Sequence, residues 1–286
     1  MRMPARIMGQ VSVEMSESAE TAEHHREPAV SVDGLSMSTS RGPVYTDVTA
    51  EVPEGGLLVL RGAEGSGKTC LLLSIAGRMR PSSGTASVRG FDTQRQGRKV
   101  RTLVGLAHVH GVTDLESNLS VAEHIAERLI TTQPWYKPWI SRSEVTREID
   151  KLREVVVSAM AILRESGIPG FRPADVLDAD FVLSVSESTY VSELTPLQQF
   201  FLQLALTSMD HTPVVAVDDI DLLRDPHDRT IAWLGVLLYR REGVFTDERR
   251  TFVVTCADDA QLNELCSRVP DLAEDVLTLD ISRSPD

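Results

Sequence analysis

Residues 55–77, GGLLVLRGAEGSGKTCLLLSIAG, constrain the chain more than any other stretch. Leu57 to Leu60 is a short apolar run, long enough for a buried strand. Gly62-Ala63-Glu64-Gly65-Ser66-Gly67-Lys68-Thr69 then satisfies G-x-x-x-x-G-K-[ST], and Leu71, Leu72 and Ile75 recur at helical spacing before Gly77. Strand, glycine-rich loop and helix, in that order, are the context in which this spacing makes a phosphate site. Without a Cβ in the way, backbone N–H groups of such a loop turn inward on phosphate oxygens. The helix start adds unpaired N–H groups and the positive end of its dipole. Gly62, Ala63, Gly65, Ser66, Gly67 and Cys70 would form that cradle. Lys68 would reach the β- and γ-phosphates, and the Thr69 hydroxyl would hold Mg²⁺. A nucleoside triphosphate is the expected ligand.

Composition narrows the class. Lys and Arg number 29 against 42 Asp and Glu, a formal net charge of −13. An acidic chain with no basic run is a poor candidate for binding a nucleic-acid backbone, so no nucleic-acid partner is expected. Cys70, Cys256 and Cys266 contain no C-x-x-C pair, which predicts a reducing compartment rather than a disulfide framework or a zinc site. No apolar run approaches the roughly 18 residues of a membrane span, and the N-terminus lacks a signal-peptide core. Residues 1–28, rich in Glu, Ser and Ala, read as a disordered acidic tail. The neighbouring His24 and His25 in that tail are not a metal pair.

Along the rest of the chain, residues 29–52 are strand-like with a polar turn, TASVRG is another short strand, and residues 100–108 read as a further one. Long helical patterns follow at 120–130 and 143–167; Ser143, Glu144 and Thr146 are placed to cap the second, and Gly167 to end it. Between them, Trp135, Tyr136 and Trp139 form an aromatic knot, which is either a packed loop or a partner-facing patch. Residues 195–209 predict an amphipathic helix, 213–217 a buried strand, and 228–243 a helix. A strand at 251–255, a helix at 258–267 and a closing strand from Val276 complete the pattern.

The strand Val214-Val215-Ala216-Val217 ends in Asp218-Asp219. Asp218 would hold Mg²⁺ opposite Thr69, and Asp219 would orient or deprotonate the attacking water. With both anchors placed, residues 29–280 resemble the nucleotide-binding domain of ABC transporters. The resemblance rests on Met79-Arg80-Pro81-Ser82-Ser83-Gly84 after the first helix and on Leu119-Ser120-Val121-Ala122-Glu123 as the helix-opening phrase. It also rests on Leu194-Thr195-Pro196-Leu197-Gln198 at the family's signature segment and on Asp225 at its D-loop position. The fold this implies is α/β: a P-loop core of ABC type with an antiparallel β portion and a helical subdomain over about residues 115–205. It also implies a 29–286 nucleotide-binding domain that pairs with itself or a homologous ATP-binding subunit. Thr195, Leu197, Gln198 and Asp225 would touch the nucleotide across that pairing. A separate transmembrane subunit would hold the chain on the inner face of the cell membrane.

Several positions depart from the family pattern. The Q-loop glutamine, counted from Gly105, falls on Val109 between His108 and His110, and no Gln occurs between Gln96 and Gln133. Cys256 stands at the switch-histidine position, and the catalytic glutamate is Asp219, a methylene shorter. The adenine-stacking aromatic falls near Thr39, with Tyr45 close by. Thr195-Pro196-Leu197-Gln198 is also a capping box, so a plain helix start and a working phosphate cap both fit it. The expected activity is ATP binding with slowed hydrolysis in a transporter or exporter; the alternative is a catalytically degenerate ATP-binding switch.

Overall fold

A computed structural model of the chain describes residues 28–137, 139–168, 186–241 and 249–281. The acidic tail expected over residues 1–28, Pro28 apart, and with it His24 and His25, lies outside the described residues. Two sheets organise the rest. β1 (Val30–Thr39), β2 (Gly42–Val52), β4 (Ser83–Val88) and β5 (Phe91–Asp92) form an antiparallel sheet in the order β2-β1-β4-β5. β3 (Leu57–Arg61), β6 (Val104–Ala107), β7 (Val214–Val217), β8 (Thr251–Cys256) and β9 (Val276–Asp280) form a parallel sheet in the order β6-β7-β8-β3-β9.

The central strands of the parallel sheet are mostly apolar because both of their faces are covered, whereas β9 at the edge is half-buried and ends in the exposed Asp280. Alternate residues sort to opposite sides. Leu58, Leu60, Ala216 and Val253 share a core with Leu71, Leu72 and Ile75 of α1 (Lys68–Ile75) and with Val30, Val32 and Leu35 of the antiparallel sheet. Leu57, Val59, Val215, Val217, Phe252 and Val254 face the opposite core. That core is built by α4 (Arg142–Ser166), α5 (Pro196–Ser208), α6 (Pro226–Tyr239) and α7 (Ala260–Arg268). α3 (Val121–Thr132) packs with the first turns of α4 and with α5 through Ile125, Val145, Ile149, Leu202 and Leu206, a third and smaller core.

Two local expectations are corrected. Residues 100–108 are not one strand: Gly97–Leu103 is a helix, α2, and only Val104–Ala107 is extended. Val100 and Leu103 turn inward while Arg98, Lys99, Arg101 and Thr102 stay exposed, which is an i, i+3 stripe and not an alternation. The cap of α4 is Ser141, not Ser143. Ser141 Oγ accepts from Glu144 N at 3.3 Å, and Ser141 N donates to the Glu144 carboxylate at 2.9 Å. The box needs partners three positions apart, and Ser141 to Glu144 has that spacing. Gly167 ends the helix in the left-handed region, as expected. The aromatic knot is not packed: Trp135 is 92% exposed, and Tyr136 and Trp139 are exposed beside it. Among the described residues, no helix is long and apolar enough to cross a membrane.

Candidate functional site

The site is built where β3, β7 and β8 end at the C-terminal edge of the parallel sheet. Gly62 N donates to Cys256 O at 3.0 Å, so the glycine-rich loop leaves β3 pinned to β8. Two of its glycines admit no side chain. A Cβ at Gly62 would lie 2.5 Å from Ile281 O, and one at Gly67, where φ is 92°, would lie 2.6 Å from Val44 O. Ser66 is buried, and its Oγ has no hydrogen-bond partner among the described residues. Lys68 Nζ donates to Gly62 O at 2.7 Å and Ala63 O at 2.9 Å, so the ammonium spans the loop's mouth on its own carbonyls. The Cys70 side chain packs against the core beneath the antiparallel sheet. Burial, and then the Asp218 charge, raise its thiol pKa.

Thr69 and Asp218, 149 residues apart in sequence, meet here: Thr69 Oγ1 lies 2.9 Å from one Asp218 carboxylate oxygen and 3.1 Å from the other. Asp218 is buried and also accepts from Thr255 Oγ1 at 2.6 Å. Thr255 takes a second bond, accepting from Asp219 N at 2.7 Å, and thus fixes both acids at the strand end. Sequence reading passed over Thr255; a hydroxyl at the end of an apolar strand was the available signal. Hydroxyl and carboxylate oxygens are the hard donors that suit Mg²⁺. Among the described residues no group of three or more His, Cys, Asp and Glu could hold a metal, so protein ligands here would need phosphate oxygens to complete a shell.

Asp219 sits at φ 46°, a left-handed conformation that Asp tolerates better than longer side chains. Its carboxyl pKa is raised, first by burial and then by Asp221 and Asp218, while Lys68 and His108 pull it down. A raised carboxyl is a stronger base once ionised.

The positions around Asp219 revise the sequence reading. Val109, counted to the Q-loop position, is 2% exposed and belongs to the core. His108, with φ 53°, is the neighbour that acts electrostatically on Asp219. Its Nδ1 is 2.6 Å from Gln203 Oε1, and its ring meets Phe200 edge-on at 5.3 Å. Gln203 Nε2 donates to Thr113 O at 2.9 Å, so α5 holds His108 and the following loop together. No local pattern marks Gln203, which lies 95 residues from its partner. His110 points away, exposed beside Asp114. Cys256 does not present its thiol: it is 0% exposed within the helix-side core, and burial, then Asp221 and Asp259, push the thiol up to about 12. Tyr45 is also corrected. It is buried, with its hydroxyl donating to Ser74 Oγ at 2.8 Å, and so offers no ring to a base.

Thr195, Leu197 and Gln198 form a helix start. Thr195 Oγ1 accepts from Gln198 N at 3.3 Å, Thr195 N donates to Gln198 Oε1 at 2.9 Å, and Leu197 is buried in the core. The side chains of Leu197 and Gln198 are thus turned inward, which leaves the half-exposed Thr195 at the helix start. Thr195→Ala should cost about 1 kcal/mol of stability, as loss of an N-cap does; an unchanged denaturation midpoint would show that the box contributes nothing. Asp225 caps α6 by accepting from His227 N at 2.8 Å, and that bond, with the His227 side chain, holds its carboxyl below the usual range.

Comparison with known proteins follows the same lines. The family model described as "ABC transporter" matches residues 45–219. The putative phosphonates utilization ATP-binding protein PhnK of Escherichia coli is 32% identical over 111 residues, 37% of this chain and 44% of PhnK. Mouse ATP-binding cassette sub-family A member 7 is 27% identical over 240 residues, 82% of this chain and 9% of that protein. The chain therefore spans less than half the length of these curated relatives. Among solved structures, cbiO1 from Clostridium perfringens, part of the ABC transporter complex cbiONQ, superposes with a TM-score of 0.60. That match has 16% identity and covers 84% of this chain and 82% of cbiO1, a likeness of fold.

Proposed function

The chain belongs to the ABC transporter family, and we propose that it is the ATP-binding subunit of a membrane transporter or exporter complex, acting through a separate transmembrane subunit. The observation that carries this reading is the contact between Thr69 and Asp218 beside Lys68, at the mouth of a loop in which Gly62 and Gly67 admit no side chain. In this proposal the loop's N–H groups and Lys68 hold the triphosphate of ATP, and Lys68 leaves the Gly62 and Ala63 carbonyls to do so. Thr69 and Asp218 hold Mg²⁺, which when bound neutralises charge on the β- and γ-phosphates. Asp219 orients the water, with Thr255 fixing its backbone and His108 beside it. Residues 29–286 act as one nucleotide-binding domain, with residues 115–205 as its helical subdomain. Two such domains pair around the nucleotide, with Thr195 and the first turn of α5 facing the partner's phosphates and Asp225 near the seam. Placement is then on the inner face of the cell membrane, through the partner.

A second reading, a regulatory ATP-binding switch with little turnover, draws on the burial of Cys256 and Val109 at two positions where the family uses polar groups.

The exposed Trp135 and Trp139 supply the test of the partner. Large aromatic side chains this open are enriched at interfaces. Replacing both with Ser should move stability by only about 0.5 kcal/mol, yet remove a membrane protein that co-purifies with the chain in mild detergent. A large loss of stability with the membrane protein still bound would return the patch to packing. Absence of any co-purifying membrane protein would remove the transporter reading in favour of the switch.

A further inference from the structure

Residues 78–101 carry seven basic side chains, Arg78, Arg80, Arg89, Arg95, Arg98, Lys99 and Arg101, against one acid, Asp92, in a chain whose net charge is −13. They are scattered in sequence, but the turn after α1, the β5–α2 turn and α2 bring four of them, Arg78, Arg80, Arg95 and Arg101, to one cleft. We propose that this cleft is a second, compact phosphate-binding site, distinct from the glycine-rich loop, for a small phosphoester or a phospholipid headgroup.

The cleft encloses about 570 Å³ and is lined by Arg78, Arg80, Arg95 and Arg101. Among the described residues none of these four pairs with a carboxylate, although nine other cations and two histidines of the chain do. The single acid of the lining is already engaged: Asp92 Oδ1 accepts from Gln94 N at 2.9 Å and Arg95 N at 2.7 Å. Arg78 and Arg101 are held by backbone carbonyls instead. Arg78 donates to Ala76 O at 3.0 Å and Val104 O at 3.3 Å, and Arg101 donates to Gly77 O at 2.9 Å. Arg78 and Arg101 thus bond the carbonyls of consecutive residues, which sets two like charges side by side, and desolvation, then the Arg101 charge, lower the pKa of Arg78. On the cleft's floor Thr93 is 4% exposed, and its hydroxyl has no hydrogen-bond partner among the described residues.

Juxtaposed arginines repel unless an anion lies between them, and an acidic chain has carboxylates to spare for neutralising such a group. Here it supplies none. Guanidinium forks match phosphate oxygens better than they match a single carboxylate at long reach. A cleft of about 570 Å³ has room for one compact phosphoester or headgroup.

The test compares the full chain with Arg80→Ala/Arg95→Ala. Both side chains are exposed and make no hydrogen bond that the fold needs. Pyrophosphate binding is measured by calorimetry in a Lys68→Ala background, which weakens the glycine-rich loop. Flotation is measured with vesicles of phosphatidylcholine alone or mixed with phosphatidylglycerol. Pyrophosphate affinity falling by about tenfold or more in the double variant would identify a soluble phosphoester site. Flotation only with phosphatidylglycerol, lost in the variant, would identify a headgroup site. Binding of neither probe, or equal binding by both chains, would overturn the proposal. Mg-ATP affinity of Arg80→Ala/Arg95→Ala with Lys68 intact should stay unchanged, which separates failure here from failure of the nucleotide reading. Should the double variant not fold, single Arg80→Glu gives the same comparison.

Discussion

Lys68→Ala is expected to weaken Mg-ATP binding by about 10²-fold or more while the chain stays folded. The ammonium now bonds two loop carbonyls, Ala63 O in an exposed contact and Gly62 O in a part-buried one. Its loss therefore leaves no fully buried orphan, and the cost to folding is small. In the nucleotide complex the same group would make charge-assisted bonds to phosphate, each worth roughly 1.5–3 kcal/mol. Two such bonds exceed the ~1.4 kcal/mol that corresponds to a tenfold change in affinity. Calorimetry on the folded variant measures this directly. Unchanged affinity would mean that the loop does not hold the triphosphate.

The second large effect is on rate. The unmodified chain should hydrolyse ATP well below the ~1–10 s⁻¹ of an ordinary enzyme. Asp219 is a methylene shorter than the family's glutamate, and misplacement of about an ångström can cost ~10²-fold. Cys256 adds nothing, since its covered thiol is held protonated and out of the cleft. Asp219→Glu should raise turnover by about tenfold or more, at a cost of roughly 1 kcal/mol or so for a longer side chain at positive φ. Asp219→Asn should abolish turnover while ATP still binds. Because burial and the neighbouring acids raise the Asp219 pKa, its base form is lost as pH falls sooner than for an ordinary carboxylate. The rate should therefore decline on the acid side from above the usual carboxylate range. Cys256→His is a poor repair, since an imidazole would overpack a core site with no exposed surface. Turnover of ~1–10 s⁻¹ by the unmodified chain would contradict this account and direct attention to His108.

The residues that sequence made legible are those whose roles are local. The glycine spacing around Lys68, the apolar run into Asp218 and the Thr195–Gln198 box each declare a backbone geometry within a few residues. Strand periodicity gave a β-rich portion around the loop's strand, and the antiparallel sheet came with the family resemblance that these motifs carry. Missed features depend on contacts between distant segments. Thr255 reaches Asp218 and Asp219 only because β7 and β8 are neighbours. His108 meets Gln203 only because α5 lies against the end of β6. Which of Val109 and His108 faces the cleft turns on one left-handed residue, which counting along the chain does not show. Tyr45 and Cys256 looked available because type and position fitted, and burial alone removed them. The basic cleft escaped notice for the same reason, its arginines being interleaved with neutral residues.

The central claim is that this site binds Mg-ATP. Equilibrium titration of the unmodified full chain with ATP, with and without Mg²⁺, tests it most directly. The account predicts saturable binding of one nucleotide per chain, weakened when Mg²⁺ is withheld because Thr69 and Asp218 then have no ion to share. Absence of saturable binding in the presence of Mg²⁺ would contradict it.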